Sequence, residues 1–174
     1  MAGLPSSKLV QAHGNFSNSH CINCSALYDL KWLYSKMKTQ NVPKCDKCLD
    51  TVKPDVVLFG EALPDNFAQN LYNDFSKCDL LIICGTSLAV KPFSLLVNQV
   101  GKTVPRFMIN STIPPKPSML NYIGLDHNFG SRSEDKILLT ETDEAAFQLS
   151  VALNMKENLE KAIADEIIIN FDEL

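Results

Sequence analysis

Four of the six cysteines of this 174-residue chain stand in two identical pairs, Cys21-Ile-Asn-Cys24 and Cys45-Asp-Lys-Cys48. A two-residue gap lets both thiolates of a pair face one ion, and two such pairs complete a tetrahedron of sulfur ligands. This ligand set suits Zn²⁺, and because four sulfurs leave no position for water, the ion is expected to be structural. The spacing therefore predicts a zinc-binding insert at about residues 17–52. Two unrelated pairs, or a redox-active pair, are the alternatives.

A histidine lies just ahead of the first pair, in the segment Ala12-His13-Gly14. The apolar residues before it suggest a short strand that ends at Gly14 and presents His13 at the mouth of a sheet. Imidazole titrates near neutral pH and is the commonest general base, so His13 is a candidate catalytic residue. A lone histidine is nevertheless more often structural. His20 abuts Cys21, but the cysteine set is complete without it.

Composition and charge limit the classes of function. The net charge is -4, which gives no support for a nucleic-acid-binding surface, because such a surface normally shows an excess of Lys and Arg. No apolar run approaches the roughly 20 residues needed to span a bilayer, and no secretory signal is recognisable. The chain is therefore expected inside the cell, where paired cysteines are more often metal ligands than disulfides.

The elements that must position these residues follow from hydrophobic periodicity. Strands are predicted at 56–59, 80–84, 105–110 and 136–140, and helices at 27–37, 65–77, 90–100, 143–155 and 156–166. Strands that alternate with helices predict an α/β fold with a mostly parallel sheet, which binds ligands at the carboxyl ends of its strands. Cys84 ends an apolar run and is expected to be a core thiol. Residues 167–174 are either a short docking strand or a loose tail.

Several motifs occur along the chain in a fixed order: "AHG", the paired cysteines, "VKPDVVLFGEALP", "DLLIICGTSLAVKPF", "PRFMIN" and "TETD". Together they resemble the sirtuins, the NAD-dependent protein lysine deacylases, from about Gly3 to about Lys161. The resemblance implies a partial doubly wound, Rossmann-like parallel sheet with an inserted zinc ribbon. Residues 1–163 would form the C-terminal part of a sirtuin-type catalytic domain, and residues 164–174 would be a tail.

The resemblance also implies roles for individual residues. His13 matches the family's catalytic histidine, a general base on a ribose hydroxyl of NAD, and the four cysteines match the zinc ribbon. The segment implied to pair with an acyl-lysine peptide as an added strand comprises Val57, Leu58, Phe59, Gly60 and Glu61. The residues implied to contact NAD are Gly85, Thr86, Ser87, Asn110, Ser111 and Thr142.

In the reaction that the resemblance implies, the acyl oxygen of an acyl-lysine attacks the anomeric carbon of NAD and nicotinamide leaves. The products are free lysine, an O-acyl-ADP-ribose and nicotinamide. The family's Gly-rich "GAGxS" turn and "TQNID" segment do not occur in the chain, and none of its 7 glycines forms G-x-G-x-x-G. The chain therefore resembles a C-terminal portion that begins after them.

Two hypotheses stay open. The first is an NAD-dependent protein lysine deacylase of the cytoplasm or nucleus. The second is a truncated, non-catalytic zinc-binding fragment of such an enzyme, which retains only peptide or partner binding. Direct binding of nucleic acid is not expected, because the net charge of -4 disfavours a zinc-ribbon nucleic-acid binder.

Overall fold

The structure is a computed structural model that describes residues 4–39 and 41–166. These residues divide into two compact units, an N-terminal unit over Leu4–Ala68 and a C-terminal unit from residue 69 onward. Each unit has its own three-stranded sheet and its own apolar core. Most of the predicted tail, residues 167–174, lies outside the described residues.

The N-terminal unit is built on an antiparallel sheet with the strand order β2-β1-β3. Its elements are β1 (Gly14–Cys21), β2 (Leu27–Asp29), α1 (Leu30–Met37) and β3 (Val52–Val56). The helix predicted over residues 27–37 begins only at Leu30, because Asp29 acts as its N-cap. The Asp29 carboxylate accepts a hydrogen bond of 2.7 Å from the Trp32 amide, which satisfies one of the free donors of the first turn.

Two strand predictions in this unit are corrected by the structure. The strand expected to end at Gly14 begins there, because Gly14 has a φ of 70° and redirects the chain into β1. The strand expected at 56–59 is β3, which ends at Val56 and pairs antiparallel with β1. A turn follows at residues 58–61, where the Glu61 amide donates to the Leu58 carbonyl at 3.0 Å.

The C-terminal unit contains the predicted parallel sheet, in the order β4-β5-β6. The helix α2 (Asp65–Phe75) runs along the chain from the first unit into the second. The elements that follow are β4 (Leu81–Cys84), β5 (Arg106–Asn110), β6 (Asp135–Leu139), α3 (Thr142–Ala152) and α4 (Lys156–Glu166). These bounds lie within three residues of the predicted ones, which confirms the α/β fold with a parallel sheet.

A charged side chain lies in the middle of this unit. The Arg106 side chain is fully buried and forms a bidentate pair with Asp135, at 2.6 and 2.7 Å. The third guanidinium nitrogen of Arg106 donates to the Val97 carbonyl at 2.7 Å, and the guanidinium lies over the Phe129 ring at 5.4 Å. Because its donors are satisfied, the buried charge is compatible with the apolar core around Ile83 and Met108.

Two further predictions differ from the structure. The helix expected over residues 90–100 is a short 3-10 helix, Phe93–Asn98. Pro92 just before it disfavours the helical conformation at Lys91, which limits the helix on its N-terminal side. Cys84 is exposed rather than buried, because β4 pairs only with β5 among the described strands and its outward-facing residues stay uncovered. Among the described residues, no helix is both long and apolar enough to cross a membrane.

Candidate active site and metal centre

The two cysteine pairs form turns of the same backbone geometry. In the first turn the Cys21 amide donates to the Ala26 carbonyl at 3.0 Å, and the Ser25 amide donates back to the Cys21 carbonyl at 3.0 Å. The second turn repeats both bonds between Cys45 and residues 49–50, at 2.7 and 2.9 Å. The fourth residue after the leading cysteine has a positive φ in each turn, 56° and 64°. The repeated geometry points both thiols of each pair in a common direction.

The four cysteine sulfurs converge on one point. All four Sγ atoms lie within 4.8 Å of one another, and the distances between the pairs include 3.4 Å for Cys21–Cys48 and 3.6 Å for Cys24–Cys45. A Zn–S bond of about 2.3 Å in a tetrahedron separates its sulfurs by about 3.8 Å. The donor set and its spacing therefore fit a structural Zn²⁺, as the sequence predicts.

A tyrosine that no sequence pattern singled out lies against this cluster. The Tyr28 hydroxyl is 3.1 Å from the Cys45 sulfur, and this hydrogen bond lowers the pKa of Cys45 to about 6. The same bond raises the pKa of Tyr28 to about 12. Tyr28 is 17 residues from Cys45 along the chain, and no spacing rule pairs them. His20 is not among the converging ligands, because its Nδ1 pairs with Asp55 at 2.7 Å.

His13 is exposed in the turn just before β1. Its carbonyl accepts a hydrogen bond of 3.0 Å from the Val57 amide, which fixes the backbone of the histidine beside the end of β3. Gly14 permits this approach. A Cβ atom at Gly14 would lie 1.8 Å from the Asp55 carbonyl oxygen, so no other residue fits there. The structure thus brings His13 and the start of the 57–61 segment together.

The 57–61 segment is a turn held by charge rather than an extended strand. The Glu61 carboxylate accepts a hydrogen bond from the Leu58 amide at 2.8 Å and from the Lys53 ammonium at 3.1 Å. These bonds hold the pKa of Glu61 below its usual range, with the Leu58 amide as the larger cause. The Lys53 ammonium also donates to the Val56 carbonyl at 2.5 Å. At the tip of the turn, Phe59 is 100% exposed.

Three of the residues predicted to contact NAD lie at one edge of the parallel sheet. Gly85, which follows β4, donates its amide to the Ile109 carbonyl at 3.0 Å, next to Asn110 at the end of β5. The Asn110 carbonyl in turn accepts from the Thr140 amide at 3.1 Å. Gly85 has a φ of 59°, and a Cβ there would lie 3.8 Å from the Thr142 hydroxyl. Gly85, Asn110 and Thr142 are therefore neighbours at the carboxyl edge.

Some polar side chains at this edge are already hydrogen-bonded within the protein, and others are exposed. The Asn110 side chain is buried and donates to the Thr112 carbonyl at 2.8 Å. The Thr86 hydroxyl accepts from the Leu88 amide at 3.2 Å, whereas Ser87 and Ser111 are exposed. The first turn of α3 carries Asp143 and Glu144. Those carboxylates disfavour a phosphate at the start of α3 itself.

Comparison with known proteins decides the family. The model of the Sir2 family matches residues 1–92, more than half of the 174 residues. The chain belongs to the Sir2 family. One relative of this Sir2-family chain is the NAD-dependent protein deacetylase sirtuin-2 of Danio rerio, 36% identical over 173 residues that cover 95% of the chain and 46% of that protein. Another is the NAD-dependent protein deacetylase hst2 of Schizosaccharomyces pombe, 32% identical over 163 residues that cover 94% of the chain and 46% of that protein.

A solved sirtuin structure, "The Structural basis for Sirtuin Substrate affinity", shows the same fold. It superposes with a TM-score of 0.69 at 22% sequence identity and covers 84% of this Sir2-family chain and 57% of the solved chain. The chain thus spans about half the length of these relatives.

Proposed function

We propose that this chain carries the general base, the peptide-binding segment and the ribose-contacting residues of an NAD-dependent protein lysine deacetylase, with NAD as co-substrate and an acetyl-lysine peptide as substrate. One observation carries the proposal. The backbone bond between the His13 carbonyl and the Val57 amide holds the candidate general base beside the candidate peptide-binding segment. A base must lie within hydrogen-bond reach of the proton it accepts, and this junction supplies such a base next to exposed backbone.

In this proposal the acyl oxygen first displaces nicotinamide and forms an imidate. His13 then accepts a proton from a ribose hydroxyl, so that this hydroxyl can attack the imidate carbon. Exposure of the imidazole supports this role, since the ring must reach bound substrate. One water molecule then adds at the acyl carbon and the lysine amine leaves, so the products are free lysine, nicotinamide and an O-acyl-ADP-ribose. Residues 57–61 bind the acyl-lysine peptide through the exposed apolar side chains of Leu58 and Phe59 and through main-chain hydrogen bonds.

The carboxyl edge of the parallel sheet binds NAD in this proposal. Gly85, Thr86 and Ser87 face the ribose and phosphates, Asn110 and Ser111 the adenosine ribose, and Thr142 the adenine. Zinc is structural, because four thiolates leave no open position on the ion. The four thiolates also favour a reducing compartment, the cytoplasm or the nucleus.

The test is nicotinamide release by the full chain from NAD and an acetyl-lysine peptide. We expect His13→Ala to reduce the rate by about 100-fold or more, the range for loss of a general base. Gln11→Ala is the matched control, because Gln11 is exposed in the same turn and carries no titrating group. Both variants must retain one zinc per chain.

Two results would count against the proposal. Equal turnover in His13→Ala and the wild type would exclude His13 as the base. A wild-type chain that binds one zinc and an acetyl-lysine peptide but releases no nicotinamide would instead support the truncated, non-catalytic fragment.

A further inference from the structure

We propose that Tyr28 is a positioning residue of the metal centre. Its hydroxyl donates a hydrogen bond to the Cys45 thiolate and thereby tightens the binding of zinc. The inference rests on the zinc site and is independent of deacetylase activity. It starts from one distance, 3.1 Å between the Tyr28 hydroxyl and the Cys45 sulfur.

The neighbouring amide sets the direction of this bond. The Asp46 amide donates to the Tyr28 oxygen at 2.8 Å, so the oxygen is already an acceptor and its own proton is directed elsewhere. A metal-bound thiolate has no proton to give. Cys45 is 0% exposed, so water does not compete for this sulfur. The Tyr28 proton therefore goes to Cys45.

The ring of Tyr28 is held in place for this bond. The Trp32 ring stacks on it with a centroid distance of 3.9 Å. The Trp32 indole nitrogen donates to the Asp46 carboxylate at 2.9 Å, which ties the stacked ring to the same cysteine turn. In β2, Tyr28 also pairs with Ser19 of β1. The hydroxyl is thus positioned by α1, by the sheet and by the second cysteine pair.

The consequence for zinc is electrostatic. Four thiolates around Zn²⁺ leave the centre with an excess of negative charge, and each donor that points at a sulfur stabilises that charge. The Lys47 amide also lies 3.4 Å from the Cys45 sulfur, so this one ligand receives a backbone and a side-chain donor. Loss of a partner of this kind typically costs about 10–100-fold in metal affinity.

The experiment compares zinc affinity and the spectrum of the Co²⁺-loaded protein in the full chain. We expect Tyr28→Phe to raise the dissociation constant of zinc by about tenfold in competition with a chromophoric chelator. We also expect the sulfur-to-cobalt charge-transfer band to move to lower energy, because a thiolate without its hydrogen bond gives up an electron more readily. A merely structural role for the ring would leave this band unmoved.

One control makes the test specific. Tyr34→Phe removes a hydroxyl from an exposed ring on α1, the helix that also carries Trp32. This variant should leave the charge-transfer band in place. An unchanged affinity and band in Tyr28→Phe would overturn the inference, whereas failure of the wild type to bind zinc would overturn the metal site itself.

A measurement on the wild type covers the case in which Tyr28→Phe does not fold. In the zinc-loaded protein we expect a slowly exchanging hydroxyl proton of Tyr28 in the NMR spectrum, with cross-peaks to the Cys45 β-protons. The absence of this signal, in spectra that resolve the Asp46 amide, would contradict the proposed bond.

Discussion

The Lys53–Glu61 pair shows how single side chains shape the proposed peptide-binding turn. The Glu61 carboxylate satisfies the Leu58 amide, and the Lys53 ammonium neutralises that carboxylate while bonding the Val56 carbonyl. Both side chains are partly exposed, so the ion pair alone contributes little to stability. Its effect is on the shape of the turn, because it links two residues that are eight apart along the chain and so closes the loop over the end of β3.

At this scale we predict that Glu61→Gln weakens binding of an acetyl-lysine peptide by about fivefold, the effect expected when one hydrogen-bonded contact is weakened. The amide still offers an oxygen to Leu58, but it loses the attraction to Lys53. Fluorescence anisotropy with a labelled peptide measures the change. NAD affinity, measured on the same sample, should stay constant, and a parallel loss of both would show a general disruption.

A second residue-scale prediction concerns acid stability. Hydrogen bonds from the Ser118 hydroxyl at 2.5 Å and the Ser118 amide at 3.0 Å lower the pKa of Asp126 to about 2. The unfolded chain, with an aspartate pKa of about 3.9, takes up the proton first. The stability that Asp126 contributes is therefore fully present above about pH 5 and is lost as the pH falls towards about 2.

Asp126→Asn should accordingly be less stable than the wild type at neutral pH, and the difference should shrink as the pH falls from about 5 to about 2. Hydrogen exchange at the Met108 amide, in the core of the same unit, measures the opening free energy of both proteins. The difference between the two proteins cancels the shared effect of acid on the zinc ligands. A difference that stays constant with pH would contradict the assignment.

The β1–β3 pairing is the element that positions His13, and Gly14 sets it. Two demands meet at this glycine, a φ of 70° and a carbonyl oxygen 1.8 Å from where a Cβ would stand. Gly60 has a similar positive φ of 89° but no atom within 4 Å of its Cβ position. Comparison of substitutions at the two glycines therefore separates the cost of backbone strain from the cost of a steric clash.

We predict that Gly14→Ala destabilises the N-terminal unit by roughly 3 kcal/mol or more, the sum of left-handed strain and overpacking. Gly60→Ala should cost only the strain, about 1–2 kcal/mol. Urea unfolding followed by the fluorescence of Trp32, the one tryptophan of the chain, measures both. Equal losses in the two variants would argue against the close approach of Asp55.

At the scale of the molecule, each unit closes its own core. The N-terminal core contains Cys21, Ala26, Cys45 and Val52, so two of its four buried members are zinc ligands. A core this small depends on the metal for stability. The C-terminal core consists of aliphatic and aromatic side chains from 83–129 and contains no zinc ligand.

Removal of zinc should therefore unfold one unit and spare the other. With a strong chelator present, we expect the amides of β1 and β3 to lose protection from hydrogen exchange while those of β5 keep it. Addition of zinc should restore the lost protection. Loss of protection in β5 as well would show that the metal supports both cores.

Local spacing was enough to predict part of this protein. The four ligands were predictable because two cysteine pairs encode one closed tetrahedron, and the parallel strands because their apolar runs alternate with helical segments. The motif order was enough to predict the family, which the family comparison confirmed. An apolar run does not tell how many of its faces are covered, so the exposure of Cys84 at the end of β4 was predicted wrongly.

Only the tertiary structure decided which distant residues meet. The bond between Tyr28 and Cys45 and the close approach of Asp55 to Gly14 both depend on contacts between segments that are far apart along the chain. A hydrogen bond requires two groups within about 3 Å, and that distance is set by strand pairing and packing rather than by separation along the chain. The sequence thus determined which chemical groups are present, and the fold determined which of them act together.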